Sequence, residues 1–395
     1  MALLRRLFRI VDLFWSLVAS YLPLPFSLGP PIRPQYFSSK ELEHRARITG
    51  ALSRYLTDDL PVLEDSIPDD ELPDFLLVHD PHGVTDWVAP DGDGADWAIP
   101  YYRVKNPLRG LDATAPEAIP ADARTAHLYV HPKNLLGQGH HAWVYRAPLS
   151  IGSDAQRSVV AAKLGSENCT AMRMLANEAA MYSLFPREFM QDSPAGPAVV
   201  PKFYGYYLPI PIHPNLHRAM LLHTKLCANS EDECGIWSPS PILLMEECGK
   251  ALGQAECKSM TPEHQQQCAE MLGRFHAASI FHQSIYGRNI LIQPGPLDLP
   301  PEKRSDDTPS FRMIDFGRTV AVDFSRVANG KVIFHNWSHR EQEALQEVWR
   351  TGGDDERHGP KADHARKCLK AIRERHLQDC LAIDKFLLEN ELVQY

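Results

Sequence analysis

Residues 281–292 read Phe281-His282-Gln283-Ser284-Ile285-Tyr286-Gly287-Arg288-Asn289-Ile290-Leu291-Ile292, and residues 311–317 read Phe311-Arg312-Met313-Ile314-Asp315-Phe316-Gly317. Each couples a short apolar run to one oxygen-bearing side chain, Asn289 in the first and Asp315 in the second. Short apolar runs of this kind predict strands. A strand holds a side chain at its border in a fixed place, and two oxygen donors so held suit a magnesium ion.

Three further stretches precede this pair. Gly137-Gln138-Gly139-His140-His141-Ala142-Trp143-Val144 sits between two apolar alternations, one through Leu128, Val130, Leu135 and Leu136, the other through Val144 and Tyr145. A glycine hairpin there can bring backbone N–H groups close to phosphates. Val160-Ala161-Ala162-Lys163 places a lysine in an apolar strand, where burial without a partner is costly. Glu178, on a helix predicted from Ala171 to Leu184, is the expected partner; the alternative is a lysine that snorkels to solvent and an exposed glutamate. Ile242-Leu243-Leu244-Met245-Glu246-Glu247-Cys248-Gly249 is an apolar strand that runs out into polar residues and a glycine. Pro262 just inside a helix start and a polar–apolar pattern to Ala278 predict a further helix.

Five motifs in this order resemble the protein-kinase superfamily, whose signature is a glycine-rich loop, a strand lysine, a helix glutamate, a His-Arg-Asp loop ending in asparagine, and Asp-Phe-Gly. The resemblance runs from about Ala126 to Val322 and fades on either side. It implies an α+β, two-lobed fold with a small N-terminal sheet lobe and a shortened helical C-lobe, divided at residues 126–247 and 248–395. It further implies that Lys163 contacts ATP phosphates and pairs with Glu178, that Asn289 and Asp315 bind Mg2+, and that Gly137 and Gly139 cover the phosphates. Val144, Ala161 and Leu291 would enclose the adenine ring, and backbone groups of Glu246 and Cys248 would meet its edge. His282 and Phe316 would be packing residues.

The departures from that pattern bear on activity. Gln283 and Ser284 stand where Arg-Asp is usual, Tyr286 replaces a lysine, Ala142 replaces the third glycine, and Ala-Pro-Glu is absent. A serine hydroxyl carries no charge and cannot act as a base at neutral pH. A positioned base is worth roughly 10²–10⁴-fold, whereas phosphoryl transfer depends mainly on positioning and charge neutralisation. The expectation is therefore an ATP- and Mg2+-binding pseudokinase with weak or absent transferase activity. An active atypical protein or small-molecule kinase and a membrane-associated scaffold are the alternatives.

The rest of the chain bounds this reading. With 395 residues, 44% hydrophobic and 23% charged, it has length for a large core. A net charge of -9 argues against a general nucleic-acid binder. The eight cysteines form no CxxC pair, which predicts reduced thiols and a cytoplasmic chain. Residues 1–29 alternate Leu3, Leu4, Leu7, Phe8, Val11, Phe14 and Trp15 with Arg5, Arg6 and Arg9 before Pro23 and Pro25 stop a helix. That amphipathic helix fits a membrane-surface contact, an organelle presequence or a helix packed on its own domain. Residues 30–125, rich in proline and aspartate, read as an extension that packs partly on the domain C-terminal to it. The run from Asp91 to Asp96 reads as a turn, and His79 and His82 as surface histidines. Nucleotide is the expected partner, with a protein partner left open.

Overall fold

The computed structural model describes residues 52–80, 83–85, 98–107, 115–116, 118–139, 141–152, 157–166, 168–193, 196–210, 227, 239–326 and 329–351. The proposed N-terminal helix, Asp91 to Asp96 and His82 lie outside them. Strands β1 (Phe75–His79), β2 (Ile99–Arg103), β3 (Thr125–Tyr129), β4 (Leu135–Gln138), β5 (Ala142–Ile151) and β6 (Ser158–Gly165) come first. Helices α1 (Cys169–Leu184) and α2 (Arg187–Met190) come next, then β7 (Phe203–Pro209), β8 (Ile242–Met245) and β9 (Lys250–Ala251). The remainder comprises α3 (Gln254–Ser259), α4 (Pro262–Ala277), β10 (Ile280–Phe281), β11 (Ile290–Gly295), β12 (Ser305–Met313), β13 (Val320–Ala321) and α5 (Gly330–Thr351).

The first eight strands make one sheet in the order β3-β1-β2-β7-β8-β6-β5-β4, and β3 also pairs with β5. That extra pairing, Ala126 opposite Ile151 and Leu128 opposite Leu149, closes the sheet on itself. β4 hangs from β5 outside the ring. β1 and β3 run parallel while the other neighbours are antiparallel, so the barrel is mixed. Closure removes the free edges that an open sheet leaves unpaired.

This corrects the expected architecture. The chain does not form a two-lobed protein-kinase-like fold with a small sheet lobe and a helical lobe, and the likeness to the protein-kinase superfamily is not sustained. The physical reason lies in residues 75–129. β1 and β2 arise in what reads as an extension, and with β3, at the expected start of the sheet lobe, they supply the strands that close the barrel. The helices of the described residues are few, and of them α1 packs against β6 and β7 of the barrel. His79 is likewise no surface histidine. It is buried on β1, with its Nε2 2.9 Å from His127 Nδ1 and its ring stacked on Tyr129.

Alternation along each strand sorts side chains between two cores. Val160, Ala162 and Leu164 of β6 join Leu76, Leu128 and Tyr145 inside the barrel. Ala161 on the other face joins Met172, Leu175 and Tyr182 of α1 in a second core that continues to Phe275 and Phe316. β6 is thus buried on both faces, which explains its unbroken apolar run and singles out Lys163. α1 starts where Asn168 Oδ1 accepts the Ala171 N–H at 2.7 Å, a side-chain cap for an otherwise unsatisfied donor. Thr261 caps α4 in the same way. Arg304 Nη1 and Nη2 meet Glu64 Oε1 and Oε2 at 2.5 and 2.6 Å, tying the β11–β12 hairpin to the chain that precedes the barrel.

Candidate functional site

Lys163 lies on the outward face of β6, opposite Val144 on β5 and Leu243 on β8. Its Nζ donates to Glu178 Oε2 at 2.6 Å and to Asp315 Oδ1 at 2.8 Å. The Glu178 side chain is 1% exposed and that of Asp315 is 39% exposed. One carboxylate is therefore sealed in the core, while the other reaches solvent. Burial pulls the Lys163 ammonium down, but the charges of Asp315 and Glu178 outweigh it and hold the group protonated beyond its ordinary range. Lys163 holds the Asp315 carboxyl down to about 2, against the opposing effect of burial. Burial pushes Glu178 up, with Lys163 opposing and Asp315 reinforcing the shift.

Two loops complete the site. The loop of residues 282–289 runs from β10 to β11, and residues 314–319 run from β12 to β13. β10 pairs with β13 and β11 with β12, so the loops are held against each other at both ends. Between those ends, His282 Nε2 donates to Ile314 O at 2.8 Å and the Ile314 N–H donates to Asn289 O at 2.9 Å. Asn289 Nδ2 donates to Ser284 O at 2.9 Å, which leaves the amide oxygen as the end turned from that bond. Asp315 adopts a left-handed conformation with φ 69°. This is uncommon for a residue other than glycine and occurs where surrounding contacts hold it.

Those contacts are visible. Phe316 is fully buried between Tyr182, Phe185, Phe275 and His282. Asn177 Nδ2 on α1 reaches the carbonyls of Phe316, Gly317 and Thr319 at 3.3, 3.2 and 3.0 Å. A Cβ on Gly317 would lie 3.0 Å from Met174 Cβ and 3.1 Å from Met174 O, so only glycine lets the turn approach α1 this closely. Burial pulls the His282 imidazole down, so it is neutral and free to donate a single N–H to Ile314.

The remaining expected residues spread around this centre. Gly137 lies on exposed β4 and Gly139 on the turn after it; a Cβ at Gly137 would meet nothing within 4 Å, and one at Gly139 only Ala142 O at 3.6 Å. Space above that turn is open to an approaching group. Val144 and Ala161 share the outward barrel face with Lys163. Leu291 is half-buried on β11, opposite Arg312 and Ala251. At the end of β8, the Glu246 N–H is committed to Lys202 O at 2.9 Å, and its carboxylate takes Lys202 N and Nζ at 3.0 and 3.2 Å. Cys248 is buried, and burial pushes its thiol well above the ordinary value. Ser284 is buried on the same loop as Asn289. The cysteines among the described residues are free thiols.

Two positioning residues were missed by sequence reasoning. Glu341 on α5 accepts the Gln283 N–H at 2.6 Å through Oε1 and meets His276 Nε2 at 2.9 Å through Oε2. It thereby fixes the loop at Gln283, whose φ is 61°. Its signal was a charged residue on a buried helical stripe, since Glu341, Leu345 and Val348 share one face. Asn177 carried no signal beyond lying next to Glu178.

Two side-chain oxygens on the paired loops are of the kind a hard cation takes. Asp315 has a carboxylate oxygen not engaged by Lys163, and Asn289 offers an amide oxygen. Among the described residues no cluster of three or more His, Cys, Asp or Glu stands ready to hold a metal ion. A cation here would take two protein oxygens, and Mg2+ commonly completes such a shell from phosphate and water. Also among the described residues, no helix is long and apolar enough to cross a membrane. No protein-family profile matches this chain. No curated protein matches it either.

Proposed function

We propose that this chain binds ATP with Mg2+ on the outward face of β6 and has weak or no capacity to transfer phosphate to another molecule. The observation that carries this reading is Lys163 Nζ bridging Glu178 Oε2 at 2.6 Å and Asp315 Oδ1 at 2.8 Å. A buried ammonium shared by one sealed and one solvent-reaching carboxylate is a charge site prepared for an anion beside a cation. Glu178 orients Lys163, Lys163 meets the phosphates, and Asp315 and Asn289 supply oxygens to the metal. The open turn at Gly137 and Gly139 accommodates phosphate, while Val144 and Ala161 offer an apolar wall to a base. The bound cation supplies neutralisation of phosphate charge.

In this reading transfer to an outside acceptor is weak because the loop of residues 282–289 carries no carboxylate to serve as a base. The experiment is a thermal shift with and without ATP and Mg2+. Wild type should gain melting temperature only with both present, and Lys163→Ala and Asp315→Ala should each lose the gain. An unchanged wild-type melting temperature at saturating ATP would refute the reading.

A further inference from the structure

The exposed face of α5 carries imidazoles that no part of the nucleotide reading uses. Phe334 and Trp337 are half-buried, with ring centroids 5.6 and 5.3 Å from that of Phe281. These contacts fix how α5 is rotated, and they leave His335 and His339 exposed. At 3.6 residues per turn, positions four apart stand one above the other on a helix. The two rings accordingly lie 6.3 Å apart, centroid to centroid. One turn further on, Glu343 Oε2 lies 3.4 Å from His339 Nδ1. A carboxylate there favours the proton on Nδ1 and leaves the lone pair of the ring on Nε2.

We propose that His335 and His339 together chelate one Zn2+ ion, with Glu343 as the positioning carboxylate behind His339 and water in the remaining coordination places. Two histidines four apart on a helix bind zinc together from one face. Imidazole suits this borderline metal, whereas Mg2+ and Ca2+ take oxygen. With Zn–N bonds of about 2.1 Å, two rings on one tetrahedral ion sit roughly 5 Å apart, so the exposed side chains must close by about 1 Å. Rotation of the side chains supplies that movement without bending the helix. The loops at Asn289 and Asp315 offer oxygens instead, so the zinc pair stands whether or not nucleotide binds. Bound zinc staples the turn that ends just before Glu341, whose carboxylate holds the Gln283 N–H at 2.6 Å. The pair is assembled only in the helix, so the ion favours the folded chain and raises its melting temperature.

The test uses the full-length protein, stripped with a chelator and returned to Zn2+ or to Mg2+. Diethyl pyrocarbonate then modifies accessible imidazoles, and mass spectrometry reads the tryptic peptide 332–340, which holds both His335 and His339. The expected result is protection of both rings by Zn2+ and none by Mg2+, with a rise in melting temperature that follows the same zinc titration. His335→Ala should abolish protection of His339, and His339→Ala that of His335, because neither ring alone forms the chelate. Both side chains are exposed, so the zinc-free variants should melt with wild type. Glu343→Gln should raise the zinc concentration for half-protection by about 10–100-fold, the usual effect of losing a group behind a ligating histidine. The chain holds further histidines and cysteines, so zinc uptake with no protection at this pair places the metal elsewhere and overturns the proposal. Protection that survives in either single variant, or that Mg2+ gives equally, also overturns it.

Discussion

Replacing Lys163 by methionine should expose the electrostatics of the site directly. Lys163→Met keeps an unbranched side chain of similar length in β6 but removes the ammonium that faces Glu178 and Asp315 at 2.6 and 2.8 Å. Glu178, 1% exposed, is then a buried carboxylate whose remaining charged neighbour is Asp315, of like sign. Removing one partner of a buried pair costs about 3–5 kcal/mol. At about 2 °C per kcal/mol for a domain of this size, the melting temperature should fall by roughly 6–10 °C at neutral pH. Glu178→Gln should cost less, because Lys163 keeps Asp315. The double variant Lys163→Met/Glu178→Gln should recover part of the loss, since replacing a buried pair with neutral groups is often close to neutral in stability. The penalty also has a predictable pH dependence. Without Lys163, burial leaves Glu178 with a raised pKa, so protonation relieves the variant as pH falls toward the ordinary 4.5. The difference from wild type should therefore be largest near neutrality and shrink on acidification. Scanning calorimetry on the four proteins between pH 5 and about pH 8, a range below the titration of an ordinary lysine, measures this. A single variant that melts within a degree of wild type, or a double variant no better than the single, would refute the reasoning.

The depressed carboxyl of Asp315 makes a separate claim: its stabilisation is present above the ordinary value of 3.8 and is lost as pH falls from there to about 2, and Asp315→Asn should remove that limb from the stability–pH curve. Gly317→Ala should destabilise by about 1–3 kcal/mol, the usual cost of overpacking, because its Cβ meets Met174 at 3.0 Å; denaturant melts showing less than a few tenths of a kcal/mol would contradict it. Ser284→Asp places a carboxylate on the 282–289 loop, and under the proposed function steady-state phosphate release should rise by at most about 10²–10⁴-fold over a near-background wild type. Robust wild-type turnover insensitive to Ser284→Ala would show that another group, or positioning alone, does that work.

The Lys163–Glu178 pair was legible in the chain because its signals are local. A lysine inside Val160-Ala161-Ala162-Lys163 must find a counter-charge, and Glu178 is the acid that the next helix presents. Asn289 and Asp315 border apolar runs that become β11 and β12, whose antiparallel pairing sets them on facing loops. Glu341 was not legible as a loop anchor, since its two partners, Gln283 and His276, lie 58 and 65 residues away. Glu246 read as a nucleotide contact, yet its N–H and carboxylate are both engaged by Lys202.

The fold divides along the same line. The strand through Val144 and Tyr145, the apolar run of β6 and the starts of α1 and α4 depend on neighbouring residues, so the sequence by itself determined them, whereas the glycine at 317 answers to Met174 on α1, a contact only the tertiary structure makes. Whether the strands form an open sheet in one lobe or a closed barrel was not determined in that way, because alternation marks which face of a strand is buried and not which strand lies beside it. Closure depends on β1 pairing with β3 and β3 with β5, through backbone hydrogen bonds that any side chains permit. Only the tertiary structure decided those pairings, where burying Leu76, Leu128 and Val160 in one interior required the ring to close.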